Sequence, residues 1–103
     1  MKSCYRTRAK LWRYPGSKVT WHFITLPRKL AQEIRLVDAG PVRRGFGSLR
    51  VQATIGGSTW QTSIFPSKRD ESYLLPVKAQ VRKAERLIVG KMVTLSLEVS
   101  RAW

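Results

Sequence analysis

Residues 4–14 alternate: Tyr5, Thr7, Ala9 and Leu11 fall on one side, and Arg6, Arg8, Lys10 and Trp12 on the other. A period of two predicts a strand with one wet face. Tyr14-Pro15-Gly16-Ser17 is a turn cluster. Residues 19–26 are rich in β-branched and aromatic side chains and predict a second strand. Pro27 then opens a helical pattern, because a residue without an N–H loses nothing at a helix start. Leu30, Ile34 and Val37 share one face of that helix, and Gly40-Pro41 stops it. Residues 41–48 read as a loop.

The alternation resumes with Leu49, Val51, Ala53 and Ile55, a third strand. Gly56-Gly57 supplies the positive φ of a tight hairpin, and Ser58 to Phe65 is the returning strand. After the polar turn 66–71 comes a short strand, Tyr73-Leu74-Leu75. Pro76 is expected to start a second helix with Val77, Val81, Ala84 and Ile88 on its buried face, and Gly90 to end it. Val93, Leu95, Leu97 and Val99 mark the last strand. The expected order is β-β-α-β-β-β-α-β, a mainly β chain with two helices. It lacks regular βαβ alternation, which favours a small closed or split antiparallel barrel.

One echo runs through the chain. Ile24-Thr25-Leu26-Pro27-Arg28-Lys29 and Tyr73-Leu74-Leu75-Pro76-Val77-Lys78 both read strand, Leu-Pro, helix with a lysine in the first turn, 49 residues apart. It predicts two related halves about a pseudo-twofold axis, so that one chain supplies both, as a monomer.

Composition narrows the picture. The chain has 103 residues, enough for a single domain spanning 1–103. With one Cys (Cys4) it has no internal disulfide and fits a reducing cytoplasm. One His and one Cys cannot make a Cys/His zinc site within one chain. No nucleophile motif surrounds His22, and no phosphate-loop glycine pattern occurs. No apolar run approaches the roughly 20 residues that cross a bilayer. The expectation is a protein that is not an enzyme and needs no cofactor, metal or membrane.

The charge points elsewhere. There are 20 basic and 6 acidic residues, a formal net charge of +14. Residues 1–50 hold 12 basic and 2 acidic residues, so most of the excess sits in the first half. A surface of this kind attracts polyphosphate through counterion release.

Four strings, 21–27, 51–57, 60–66 and 73–78 followed by Val81-Arg82-Lys83, carry a likeness to a known family. The chain resembles a bacterial family of small β-barrel domains of unknown function, whose members occur alone or fused to a bacteriocin-protection (YdeI/OmpD-associated) domain. The resemblance implies a fold similar to the double-split barrels of AbrB, MazE and MraZ regulators. These chains usually carry an acid directly after the glycine that precedes the last strand; here that residue is Lys91.

The candidate residues follow from charge and aromatic content. Arg6, Arg8 and Lys10 share a strand face that Trp12 and Tyr14 continue, which suits clamping a backbone and stacking a base. The alternative is that Trp12 packs under the barrel rim while the cations guard an edge strand. Lys78, Arg82 and Arg86 form a stripe at i, i+4 and i+8 of the second helix that could sit against phosphates, although such a stripe is more commonly an ordinary solvated face. Arg43 and Arg44 flank Gly45-Phe46-Gly47 in the loop, and Arg50 adds to the third strand. Trp21 and Trp60 are expected to fill the barrel and, with Tyr73, are the candidate lining of a small-ligand cavity. The leading expectation is a nucleic-acid-binding module for DNA or RNA that works through phosphates. The alternatives are a small-ligand barrel and a protein-interaction module with an acidic partner.

Overall fold

The computed structural model describes residues 2–15, 20–39 and 47–100. Six strands close a barrel: β1 (Lys2–Arg13), β2 (His22–Thr25), β3 (Leu49–Ile55), β4 (Ser58–Ser67), β5 (Ser72–Pro76) and β6 (Met92–Ser100). The order around the barrel is β1-β2-β5-β4-β3-β6, and every pairing is antiparallel. Helix α1 (Arg28–Ile34) follows β2 and runs into a π-helical turn, Arg35–Ala39, while helix α2 (Ala79–Ala84) follows β5. The element order is the one the periodicity predicts.

Exchanging β1, β2 and β3 with β4, β5 and β6 leaves every neighbour relation around the barrel unchanged. The chain is therefore built as β-β-α-β twice, with a pseudo-twofold axis between β2 and β5 on one side and β3 and β6 on the other. The two Leu-Pro strings meet at that axis. Ile24 pairs with Leu75, Leu26 N–H donates to Tyr73 O (3.0 Å), and Val77 N–H donates to His22 O (2.9 Å). Because β2 and β5 are antiparallel, the two helices leave opposite ends of this ladder. Strands β1 and β4, exchanged by the axis, share a further property. Lys2–Lys10 of β1 pairs with β6 and Leu11–Arg13 with β2. Leu49 to Ile55 of β3 takes Ile64 to Ser58 of β4, and Phe65–Ser67 passes to β5.

The inward residues of all six strands fill the barrel. Leu11, Ile24, Ile64, Leu75, Leu95 and Val99 are fully buried, with Val51, Ala53 and Leu97 beside them. Each buried Val, Leu or Ile side chain contributes about 1.5–3 kcal/mol relative to exposure. Ser72 is buried as well, and its hydroxyl donates to Leu26 O, so the buried polar group is satisfied.

Several local expectations shift. Strand β2 is shorter than residues 19–26. Pro27 sits at the N-cap of α1, and buried positions on this segment are Ala31, Ile34 and Asp38, one residue round from the expected Leu30, Ile34 and Val37 stripe. Tyr5 accounts for that rotation: its hydroxyl donates to Asp38 Oδ2 at 2.6 Å. Pro76 ends β5 rather than starting α2. That helix has only six residues and stops at Ala84, well before Gly90. Val77 and Val81 are buried as expected, but Ala84 and Ile88 are exposed, because no helix survives to carry the period past Glu85.

Hairpin β3–β4 turns at Gly56, whose φ of +57° is the left-handed conformation that favours glycine. Glu85 fastens this turn to the end of α2. Its Oε2 accepts from Ser58 Oγ at 2.7 Å, and its Oε1 accepts from Gly57 N–H at 3.3 Å.

Candidate nucleic-acid interface

Strand β1 places Arg6, Arg8 and Lys10 on the outside of the barrel, all exposed. Alternation spaces them about 6.7 Å apart along the strand. Their partners across β6 are Ser96, Thr94 and Met92, which carry no charge. Among the described residues none of the three cations makes an ion pair; Glu98, the acid on that face of β6, pairs with Lys2 at 3.2 Å.

The same face continues into aromatic rings. Trp12 lies opposite Phe23, and Tyr14 N–H donates to Trp21 O (2.8 Å), so Tyr14 and Trp21 are the next pair along. The four rings form a connected row of contacts, Tyr14–Trp12–Phe23–Trp21, on the outer face of β1 and β2. Centroid distances are 5.3 Å for Trp12–Phe23, 6.5 Å for Trp12–Tyr14 and 6.1 Å for Trp21–Phe23. Trp12 is anchored by its indole N–H, which donates to Thr25 Oγ1 at 2.9 Å. Leu74 and Pro76 of β5 and Phe65 of β4 extend the surface, and Lys68 and Arg69 stand at its edge. Together they line an open groove of about 700 Å³.

The expectation that Trp21 fills the barrel is corrected. Trp21 is 50% exposed, whereas His22 is only 8% exposed and faces inward. Parity decides this. Leu11 pairs with Ile24, so His22, Ile24 and Leu26 share the inner face and Trp21 and Phe23 the outer one. Trp60 and Tyr73 are buried inside, at 7% and 1% exposure. The three aromatics proposed as one cavity lining therefore lie on two sides of the wall. Trp21 and an edge of Trp60 meet only at a separate surface hollow of about 310 Å³ beside α2, with His22, Lys78 and Arg82.

The basic stripe expected on the second helix is also corrected. Arg82 is turned inward, its Nε–H donating to Val77 O at 3.2 Å and its Nη1 lying 3.3 Å from His22 Nε2. Arg86 lies beyond α2 with a φ of +53°, off the helical repeat. Lys78 and Arg86 are exposed but do not form one row with Arg82. Arg50 is exposed on β3, on the far side of β6 from Arg6, and its Nη1 lies 3.5 Å from Ser63 Oγ. Arg43 and Arg44, with the rest of residues 40–46, lie outside the described residues.

Burial, and next the positive Arg82, push the His22 pKa below the ordinary histidine value. A neutral imidazole accepts from Arg82; a charged one would be repelled. Tyr5 is pushed up to about 12, first by burial and then by its hydrogen bond to Asp38. Among the described residues no group of three or more His, Cys, Asp or Glu is placed to hold a metal ion, and no helix is long and apolar enough to cross a membrane.

Sequence reasoning anticipated the cations of β1 and their continuation into Trp12 and Tyr14, but missed Phe23, Phe65, Lys68 and Arg69. A signal for part of this existed. Trp12 and Tyr14 on one side of the first turn, and Trp21 and Phe23 on the other, are each two residues apart. A hairpin puts two such doublets on one face.

Residues 8–97 match the sequence model of a family described as "Domain of unknown function (DUF1905)". A search of the curated proteins found no match.

Proposed function

The chain belongs to this family of domains of unknown function (DUF1905), and for this member we propose a non-enzymatic module that binds nucleic acid through phosphate contacts. The observation that carries the reading is the row Arg6, Arg8 and Lys10 on the outer face of β1, facing only uncharged partners. A row of exposed cations on a chain of net charge +14 is an electrostatic footprint for a polyanion. Lys78, Arg50 and Arg86 add distributed positive potential, while Arg82 is committed to His22 and Val77. Backbone contacts of this kind carry little sequence specificity.

Two finer points belong to the same reading. The pseudo-twofold order and the partner change halfway along β1 and β4 support a double-split barrel of the AbrB, MazE and MraZ kind. Here one chain closes the barrel, which supports a monomer. The single free cysteine supports a reducing compartment such as the cytoplasm.

Fluorescence anisotropy against DNA and RNA, titrated at low and at physiological salt, tests the proposal. Binding should weaken with salt, and R6A/R8A/K10A should flatten the log K against log salt slope by about 0.9 per lost duplex phosphate contact. No binding at low salt, or an affinity indifferent to salt, overturns it.

A further inference from the structure

We propose that the outer aromatic groove takes the unstacked bases of a single-stranded nucleic acid, whose phosphates follow the β1 cations. The inference rests on the phosphate-binding reading and specifies which nucleic acid the face accepts. Trp21 and Phe23 lie with ring planes 9° apart and offset, leaving Trp21 half open to solvent. Tyr14 and Phe65 are similarly open, at 52% and 44% exposure. Open flat rings beside cations are what base stacking requires, and every base offers a π-face. A duplex keeps its bases stacked inside and offers such rings no partner, so they would be idle against it.

Charge selects this occupant over others. Lys68 and Arg69 line the groove, and the row from Lys10 back to Arg6 leads away from Trp12 on the same strand face. The two acids of the adjoining turn are both paired: Asp70 with Arg69 at 3.7 Å and with Ser67 Oγ at 2.8 Å, and Glu71 with Arg28 at 3.3 Å. A second copy of the chain docking face to face would set cation rim against cation rim, which like-charge repulsion opposes. An anionic strand neutralises the rim and covers the rings at once.

The test compares an oligothymidylate of about 16 nucleotides, within the range that a small barrel covers, with a duplex of equal length, a free mononucleotide and anionic phospholipid vesicles. Affinity is read by anisotropy for the nucleic acids and by co-sedimentation for the vesicles. Intrinsic tryptophan fluorescence is followed throughout. The single strand should bind more tightly than the duplex and quench the tryptophans. W21A/F65A should weaken single-strand binding about tenfold or more while duplex binding holds and the protein still unfolds cooperatively. W21F, which keeps a stacking ring, should retain most of the single-strand affinity.

Equal affinity for single strand and duplex, together with no effect of W21A/F65A, overturns the inference while leaving the phosphate reading intact. Failure of every nucleic acid to bind removes both. Tighter binding of vesicles or of the mononucleotide than of the oligonucleotide overturns the inference, as does a dimer in sedimentation that W21A/F65A dissociates.

Discussion

Trp21 and Phe23 stack on the outside of the barrel, centroids 6.1 Å apart, while His22 between them is buried. Three consecutive residues thus divide between a solvent-facing aromatic surface and the core. The division follows from the strand's period of two and from the pairing of Leu11 with Ile24. It gives the protein an apolar outer face beside the cations of β1, and exposed apolar faces of this kind mark interaction sites.

The two tryptophans should separate in stability measurements. Trp60→Ala should cost about 3–5 kcal/mol, since a large buried ring is lost. Trp21→Ala removes one partner of a solvent-exposed stack and should cost less than about 1.5 kcal/mol. Urea midpoints at constant m-value give the comparison. Equal losses would show that Trp21 packs into the core after all.

Alkaline titration should find one tyrosine ionising near pH 12, through tyrosinate absorbance. An unfolded tyrosine ionises near pH 10, so the folded pKa is raised. The stability linked to Tyr5 is complete below about pH 10 and is lost as pH rises through about 12. Tyr5→Phe should abolish the late step and cost about 1–3 kcal/mol, because the buried Asp38 loses this donor. A Tyr5→Phe protein that keeps the late step would refute the assignment.

Acid should weaken the fold through His22. Its folded pKa is lowered, so below about pH 6.5 the unfolded chain takes up a proton that the folded one refuses. Stability linked to His22 is therefore present above about pH 6.5 and is lost as pH falls towards the lowered value. Between about pH 7 and 5, before most carboxylates titrate, His22→Gln should show a flatter dependence of unfolding free energy on pH. Identical slopes for the two proteins would remove His22 from the account.

Gly56 and Glu85 should be coupled. Gly56→Ala puts a side chain at a φ of +57°, a cost of about 1–2 kcal/mol. The new Cβ would also meet Glu85 Oε1, displacing the carboxylate from Gly57 and Ser58. In a Glu85→Ala background the second penalty is absent, so a double-mutant cycle should give a smaller loss for Gly56→Ala there. Strict additivity would show that Glu85 does not hold this turn.

The sequence by itself determined the strands, the inward sides of β1, β3 and β6, and the repeat. Period-two alternation in β1, β3 and β6 names the core face directly, since a strand offers only two sides. The Leu-Pro echo foretold two strands that now lie paired, Ile24 against Leu75. Local patterns also led astray where they outran the element: the heptad-like run to Ile88 needs a helix that ends at Ala84, and Arg82 left the expected stripe for a partner 60 residues away. The parity of β2 was decided only by tertiary structure, because Trp21, His22, Phe23 and Ile24 offer apolar surface on both faces. Register against β1 resolved it, because the side chain opposite each β2 residue, and not the composition of β2, says which face is inside. The same closure brought Phe65, Leu74 and Pro76 beside Trp12 and Phe23. Those residues are far apart in the chain and acquire a common face only when β5 pairs with β2 on one side and with β4 on the other.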